Sequence, residues 1–264
     1  MLPATEPDRL DLAIAENIWA YGKRFRFIAD AIGKHCGLSP NTRILDVGCG
    51  NGSQVAIPLA QLGLEVTGID TDLRSIQQAQ QYSSTLPNTQ FRTGLVSDLE
   101  APPFHCVILS EVLEHVEHPA RLLRESLSHV RNRGIVIVTV PNGYGEFECD
   151  SWIYRTLRLD RAAAWASRRK KPYAYFNATG DLPSTENHDC GHIQFFTLGR
   201  LCKMFSDEGL EIVARRGSCL ACGPLAVHTL GHVPGFIRWN QSIIDALPIQ
   251  FACGWYFVLR RTTQ

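Results

Sequence analysis

The stretch Ile44–Gly52 constrains this chain most, because an apolar strand runs directly into an acidic, glycine-rich turn. The apolar half is typical of a parallel strand that is buried on both faces. The second half has glycine at alternate positions, which lets the backbone turn sharply and approach a ligand closely. These glycines are Gly48, Gly50 and Gly52. The sequence therefore predicts a ligand site at the carboxyl end of this strand.

The spacing of the glycines separates this turn from other nucleotide-binding turns. A dinucleotide-binding turn has the pattern G-x-G-x-x-G, whereas here Ser53 stands where the third glycine would fall. Asp46 precedes the turn, and a carboxylate there suits a ligand with an ammonium group better than a pyrophosphate. Asp70 ends a second predicted strand, where its carboxylate can accept hydrogen bonds from both hydroxyls of a ribose.

With these two motifs the chain resembles the class I S-adenosylmethionine (SAM) dependent methyltransferases. The first motif of that family is an acid followed by alternating glycines, and the second is an acid that ends strand two. The resemblance implies SAM as the cofactor, with the turn around its methionine part and the second acid on its ribose. It implies cofactor contacts for Arg26, Asp46, Gly48, Gly50, Asn51, Gly52, Asp70, Thr71, Leu95, Asp98 and Ser110.

Two of these assignments have alternatives. Arg26 lies in a predicted amphipathic helix over residues 8–36, and in the resembling family an arginine there reaches the methionine carboxylate. An arginine on the solvent-exposed helix surface is an equally good interpretation. For the adenine, the family usually has an acid just after strand three, whereas the first acid here is Asp98; backbone amides near Leu95 are the alternative.

Apolar strands alternate with helical segments along much of the chain, which predicts a parallel, doubly wound α/β sheet. The resemblance implies a Rossmann-like methyltransferase fold of seven strands, with a reversed last strand and helices on both faces. We expect one domain. Its predicted parts are a covering helix at 8–36, a SAM-binding core at 43–141, a substrate-cap insertion at 142–191, and a C-terminal helix and strand hairpin at 192–264.

A second polar group follows the fourth predicted strand. Glu111, Glu114 and His115 have the spacing i, i+3, i+4, which puts them on one face if the segment is helical. Two carboxylates and an imidazole could hold Mg²⁺, and the imidazole would also admit Mn²⁺, Fe²⁺ or Zn²⁺. The segment resembles that of ubiquinone-biosynthesis O-methyltransferases and of small-RNA 2′-O-methyltransferases, which bind a divalent ion through it. Resemblance to the latter implies His192 as a further ligand.

The same three side chains have other interpretations. Without a metal, His115 is the candidate general base, because an imidazole titrates near neutral pH. A buried, hydrogen-bonded structural histidine is the alternative. We predict that Glu111, Glu114 and His115 activate the methyl acceptor.

The composition limits partners and location. With 26 basic and 26 acidic residues the formal net charge is zero, which makes a nucleic-acid partner unlikely. No apolar run reaches the roughly 18 residues that a transmembrane helix needs, and the N-terminus lacks a signal pattern, so a cytoplasmic protein is predicted. Nine cysteines fit a reducing compartment. Cys219-x-x-Cys222 has no second pair, so ordinary core or loop cysteines are favoured over a metal or redox site.

The insertion at 142–191 is rich in aromatic and basic residues. Such a surface could hold a planar or anionic acceptor or rest on an anionic membrane surface. The simpler interpretation is a solvated basic helix whose aromatic side chains cover the core.

The sequence thus predicts a SAM-dependent methyltransferase that acts on an oxygen of a small molecule. Two alternatives are an RNA 2′-O-methyltransferase and a non-catalytic SAM-binding subunit that activates a partner. The zero net charge argues against the first, and the intact set of acidic and imidazole side chains argues against the second.

Overall fold

The computed structural model describes residues 17–157, 192–231 and 233–262, which form a seven-stranded sheet flanked by helices. The strands are β1 Arg43–Val47, β2 Glu65–Asp70, β3 Thr89–Thr93, β4 Phe104–Ser110, β5 Val130–Pro141, β6 Leu210–Gly217 and β7 Gly254–Arg261. Their order in the sheet is β3-β2-β1-β4-β5-β7-β6. Strands β1 to β5 pair in parallel, whereas β7 is antiparallel to both β5 and β6. The predicted Rossmann-like α/β fold with a reversed last strand is confirmed.

Eight α-helices in the described residues connect or cover these strands. They are α1 Tyr21–His35, α2 Ala56–Gln61, α3 Leu73–Tyr82, α4 Pro119–Leu127, α5 Glu146–Thr156, α6 Leu198–Asp207, α7 Pro224–Leu230 and α8 Pro234–Ile243. The predicted covering helix begins before the described part of the chain, so only its second half, α1, is seen. Most of the predicted insertion, residues 158–191, also lies outside the described residues.

The central strands are buried on both faces, which explains their uninterrupted apolar sequences. In β4, Ile108 points into the apolar layer beneath α1, α2 and α3, and its neighbour Leu109 points into the layer beneath α4 and α6. Both side chains are fully buried. Because both faces are filled by packing, polar side chains are left to the carboxyl ends of the strands, where open α/β sheets bind their ligands.

The start of the insertion lies beside the chain that follows it. The amide of Gly143 donates to the carbonyl of Phe196 at 3.1 Å. The Asn142 side chain donates to the carbonyls of Gln250 and Ala252, at 3.2 and 3.0 Å, just before β7. The chain therefore leaves β5 next to the segment that leads into α6. Trp152, on α5, is largely exposed.

A search of the described residues for a helix long and apolar enough to cross a bilayer finds none.

The N-terminus of α3 offers a test of local helix stability. Asp72 is its N-cap, and its carboxylate accepts from the amides of Arg74 and Ser75 at 3.2 and 3.0 Å. We expect Asp72→Ala to lower the free energy of unfolding by about 1 kcal/mol, because both amides lose their partner. Urea denaturation measures the change. Asp72→Ser, which keeps a capping oxygen, should cost clearly less, and equal losses in the two variants would contradict the capping role.

Candidate functional site

The glycine turn between β1 and α2 is held tightly against its neighbours. Gly48, Gly50 and Gly52 all have positive φ, at 70°, 52° and 74°. A Cβ on Gly48 would lie 2.6 Å from Cγ2 of Val112, in the segment that follows β4. Gly48 is therefore required both by its backbone conformation and by the close approach of the two segments.

The carboxylate of Asp70 fixes the turn from the side of β2. Its Oδ2 accepts from the amide of Gly50 at 2.8 Å, and its Oδ1 accepts from the amide of Asp72 at 2.9 Å. Each oxygen keeps a second acceptor position, so the carboxylate can still accept two hydroxyl hydrogens. Of the other predicted contacts, Asn51 is buried and accepts from the amide of Ser53 at 3.2 Å, which shapes the turn itself.

The adenine-side candidates lie on the surface beyond β3. Leu95 is 55% exposed and precedes a short 3₁₀ turn at Val96–Asp98. Asp98 is exposed and accepts from the hydroxyl of Ser97 at 3.1 Å. Thr71, directly after β2, is exposed as well. These residues leave an open surface beside Asp70, and the contacts assigned to them stay predictions.

Asp46 is buried at the end of β1, with only 3% of its surface exposed. Burial, with a further contribution from the charge of Asp70, raises the pKa of Asp46 to about 8. The Arg24 guanidinium and a hydrogen bond from the Ala56 amide oppose this increase. At neutral pH the free protein therefore holds much of Asp46 as the neutral acid, and a cationic ligand group would favour loss of that proton.

Arg24 is the cation that α1 brings to this carboxylate group. Its Nη1 lies 3.4 Å from Oε1 of Glu111, and its Nη2 donates to Oε1 of Gln54. The guanidinium also lies over the ring of Tyr21, 4.9 Å from its centroid. Although burial alone lowers the pKa of Arg24, the negative charges around it, Glu111 first, raise it above its ordinary value.

The sequence prediction assigned Arg26 to the methionine carboxylate, which stays a prediction, whereas the arginine that the structure places beside Glu111 is Arg24. At about 100° per residue, Arg24 lies about 60° from Tyr21 around the helix, on the apolar side, whereas Arg26 lies about 140° away. Arg24 is 6% exposed, while Arg26 is half-buried. The apolar periodicity of α1 was the signal that could have identified Arg24.

Glu111 ends β4 in a left-handed conformation, with φ at 57°. A non-glycine residue in this region is strained and is typical of functional sites. The hydroxyl of Thr139 donates to Oε1 of Glu111 at 2.7 Å, and the hydroxyl of Ser110 lies 3.0 Å from that of Thr139. These bonds and Arg24 fix the Glu111 carboxylate between β5 and α1.

The prediction that Glu111, Glu114 and His115 share one helical face is wrong. Only a 3₁₀ turn forms, at Leu113–His115, and the backbone reversal at Glu111 places that residue outside it. Glu114 and His115 instead cluster with His192, and one ligand atom from each lies within 4.8 Å of the others. Glu111 is not a member of this cluster.

Backbone hydrogen bonds of the two residues after His192 hold it at this cluster. The amides of Ile193 and Gln194 donate to the carbonyl of Glu114 at 2.9 and 3.0 Å. The His115 and His192 rings are 5.1 Å apart between centroids, and Nε2 of His115 lies 3.6 Å from Oε1 of Glu114. The structure thus brings together three of the four metal ligands that the sequence suggested.

Glu114 gives the cluster its unusual electrostatics. The side chain is 1% exposed, and its Oε2 has no hydrogen-bond partner among the described residues. Burial, with a contribution from the charge of Glu111, raises the pKa of Glu114 well above its ordinary value. A bound cation would supply the missing partner. Two imidazoles and one carboxylate fit Zn²⁺, Mn²⁺ or Fe²⁺ better than Mg²⁺, which prefers oxygen ligands.

Comparisons with known proteins agree with the fold. A family model described as a methyltransferase domain matches residues 20–215. The ubiquinone biosynthesis O-methyltransferase of Maricaulis maris is 34% identical over 128 residues, which cover 45% of this chain and 50% of that protein. The enzyme of the same name from Rickettsia canadensis is 24% identical over 196 residues, which cover 74% and 73%. The chain thus spans half the length of the first relative and about three quarters of the second.

Among solved structures, magnesium protoporphyrin IX methyltransferase from Synechocystis PCC 6803 with bound SAH superposes with a TM-score of 0.51. The sequence identity is 18%, and the match covers 91% of this chain and 87% of that chain. This likeness concerns the fold.

The raised pKa of Asp46 predicts how stability depends on pH. Because the folded protein binds this proton more tightly than the unfolded chain, stability from Asp46 is present below its ordinary pKa of 3.8 and is lost as pH rises through about 8. We expect Asp46→Asn, which cannot titrate, to show a smaller decline in the free energy of unfolding between those pH values. Urea denaturation of the ligand-free protein at several pH values measures this.

The control is Asp98→Asn, which removes an exposed carboxylate and should keep the pH dependence of the wild type. Parallel curves for wild type and Asp46→Asn would show that Asp46 is already ionised in the folded protein.

Proposed function

The chain belongs to the methyltransferase domain family, and we propose that it transfers the methyl group of SAM to a hydroxyl oxygen of a small-molecule acceptor. The observation that carries this proposal is the contact between two segments. Gly48, in the predicted SAM turn, lies against Val112, two residues before Glu114 in the cluster with His115. Cofactor turn and acceptor-activating groups are thus neighbours at the carboxyl edge of β1 and β4.

In this proposal, each part of SAM contacts a protein group of suitable chemistry. Asp46 accepts from the methionine ammonium, and Arg24 binds the methionine carboxylate. Asp70 accepts from the ribose hydroxyls, and the exposed side chain of Leu95 covers the adenine. SAM supplies a methyl group on a sulfonium, which makes that methyl electrophilic. The protein contributes alignment of donor and acceptor and exclusion of water.

The groups proposed to activate the acceptor support oxygen as the atom that is methylated. A hydroxyl must lose its proton as it attacks, and His115, 31% exposed in its side chain, is the group that can take it. A divalent ion held by Glu114, His115 and His192 would instead bind the hydroxyl oxygen and make it more acidic. The two relatives above, both named O-methyltransferases, support oxygen as the acceptor atom.

The pair Arg24 and Arg26 provides a matched test of cofactor binding. We expect Arg24→Ala to weaken S-adenosylhomocysteine binding about tenfold to a hundredfold, because a charged hydrogen bond of about 1.5–3 kcal/mol is lost. Arg26→Ala should bind within about twofold of the wild type. Calorimetric titration measures both.

A second ligand isolates the carboxylate. 5′-Methylthioadenosine has the same nucleoside but lacks the amino-acid part, so its affinity should be the same in the wild type and in Arg24→Ala. An equal loss for both ligands would mean that Arg24 supports the site without binding the carboxylate.

The cluster of Glu114, His115 and His192 predicts metal-dependent transfer. With a catechol as acceptor, we expect chelator-treated protein to lose at least about 90% of its methyl transfer, an order of magnitude that removal of a Lewis acid readily produces. Added Zn²⁺, Mn²⁺ or Fe²⁺ should restore it. His192→Ala should prevent this rescue, whereas His118→Ala, at an exposed position nearby, should not.

Full activity after chelation would leave His115 as the base and remove the metal from the proposal. Transfer to RNA in preference to catechol would favour the RNA alternative. Cofactor binding without transfer to a panel of hydroxyl acceptors would favour a non-catalytic subunit.

A further inference from the structure

Three thiols, one of them distant in sequence from the other two, meet in the interior near the start of β7. Cys219 and Cys222 lie in the loop between β6 and α7, and Cys253 lies directly before β7. They are 1%, 8% and 5% exposed, and their sulfur atoms all lie within 4.8 Å of one another. In the sequence, Cys219-x-x-Cys222 is an isolated pair, and the fold adds Cys253 to it.

Backbone pairing between β6 and β7 brings the third thiol to the other two. The antiparallel ladder ends with Gly217 opposite Trp255. Beyond it, the amide of Cys253 donates to the carbonyl of Cys219 at 2.9 Å, and the amide of Ser218 donates to that of Gly254 at 3.0 Å. The positions of the thiols are therefore set by the sheet.

A carboxylate lies beside the thiols. Oε2 of Glu146, the first residue of α5, is 3.5 Å from Sγ of Cys253. The same oxygen accepts from the amides of Cys222 and Gly223 at 2.8 and 3.1 Å, which orients it toward the thiol group. Three thiols and a neighbouring carboxylate are thus brought together from three different segments.

We propose that Cys219, Cys222 and Cys253 bind a structural Zn²⁺, with Glu146 as the fourth ligand. In a tetrahedral site with Zn–S near 2.3 Å and Zn–O near 2.1 Å, sulfur atoms lie about 3.8 Å apart and a sulfur lies about 3.6 Å from the oxygen. The three sulfur atoms lie within 4.8 Å of one another, and Oε2 of Glu146 lies 3.5 Å from Sγ of Cys253. The carboxylate is not within 4.8 Å of all three sulfur atoms, so it would shift toward Cys219 and Cys222 when the ion binds. Binding forms three Zn–S bonds and one Zn–O bond and releases the three thiol protons to solvent.

The environment favours a structural ion over a redox pair. A disulfide would join two of the thiols and leave the third thiol and the carboxylate unused, whereas zinc uses all four groups. The three thiols are buried and Glu146 is half-buried, which suits the closed coordination of structural rather than catalytic zinc sites. This ligand set is also distinct from the Glu114, His115 and His192 cluster, which contains no thiol.

The ion would cross-link three segments that already pack and hydrogen-bond together at the start of β7. Ala20 and Trp19, just before α1, pack on the three cysteines together with Phe147 of α5. Zinc would therefore join the start of α5, the loop after β6 and the start of β7 beneath the N-terminal segment. We expect its removal to lower the melting temperature, because the binding free energy of a structural zinc is part of the folding free energy.

Metal analysis of the reduced full chain tests the proposal. We expect one equivalent of Zn²⁺ per chain to survive dialysis in His192→Ala, which disables the other metal cluster, and at least one in the wild type. Cys219→Ser, Cys222→Ser and Cys253→Ser, each made in the His192→Ala background, should lose it. Glu146→Gln should release zinc faster to a competing chelator. Cys202→Ser, a half-buried thiol on α6, is the matched control and should retain zinc.

Cobalt substitution of the wild type gives a readout that does not depend on the variants folding. Co²⁺ bound by three thiolates should give an intense sulfur-to-cobalt charge-transfer band in the near ultraviolet, unchanged in His192→Ala. Absence of that band in reduced protein would overturn the proposal, as would a Cys219–Cys222 disulfide in protein that takes up no metal when reduced. Methyl transfer is assayed separately, so failure here leaves the proposed function intact.

Discussion

The buried guanidinium of Arg24 balances a concentration of negative charge at the carboxyl edge of the sheet. Asp46, Asp70, Glu111 and Glu114 all lie there, and the charge of Arg24 acts on Asp46, Glu111 and Glu114. Burying several carboxylates is costly unless a cation or bound protons compensate them. The structure uses both: Arg24 contacts Glu111, while the pKa values of Asp46 and Glu114 are raised. A cationic ligand would therefore enter a site in which Arg24 alone does not balance the carboxylates.

The sequence predicted the sheet and the glycine turn after β1 because their signals are local. An apolar strand followed by alternating glycines indicates a sharp turn, and Gly48, Gly50 and Gly52 all adopt positive φ. The reversed β7 was inferred from the resemblance and is confirmed.

The errors arose where geometry depends on contacts between distant segments. Glu111 leaves the predicted helical face because the chain reverses at the end of β4, and spacing alone carries no sign of a positive φ. The assignment of Arg26 was made by motif position and stays a prediction, although the apolar side of α1 marks Arg24 as the buried arginine. Cys253 lies 31 residues after Cys222, and only the pairing of β6 with β7 brings them together.

The bond between Gly143 and Phe196 has a consequence for how such a chain diversifies. Because the chain before and after the intervening segment is already joined, lengthening that segment costs only about 0.6 kcal/mol for each doubling. Near the two ends of the segment, Glu146 and Asp150 accept hydrogen bonds from Cys222 and Leu225, and Ile193 and Gln194 donate to Glu114. Residues between these anchors could therefore change in number while the strands, the glycine turn and His192 keep their places.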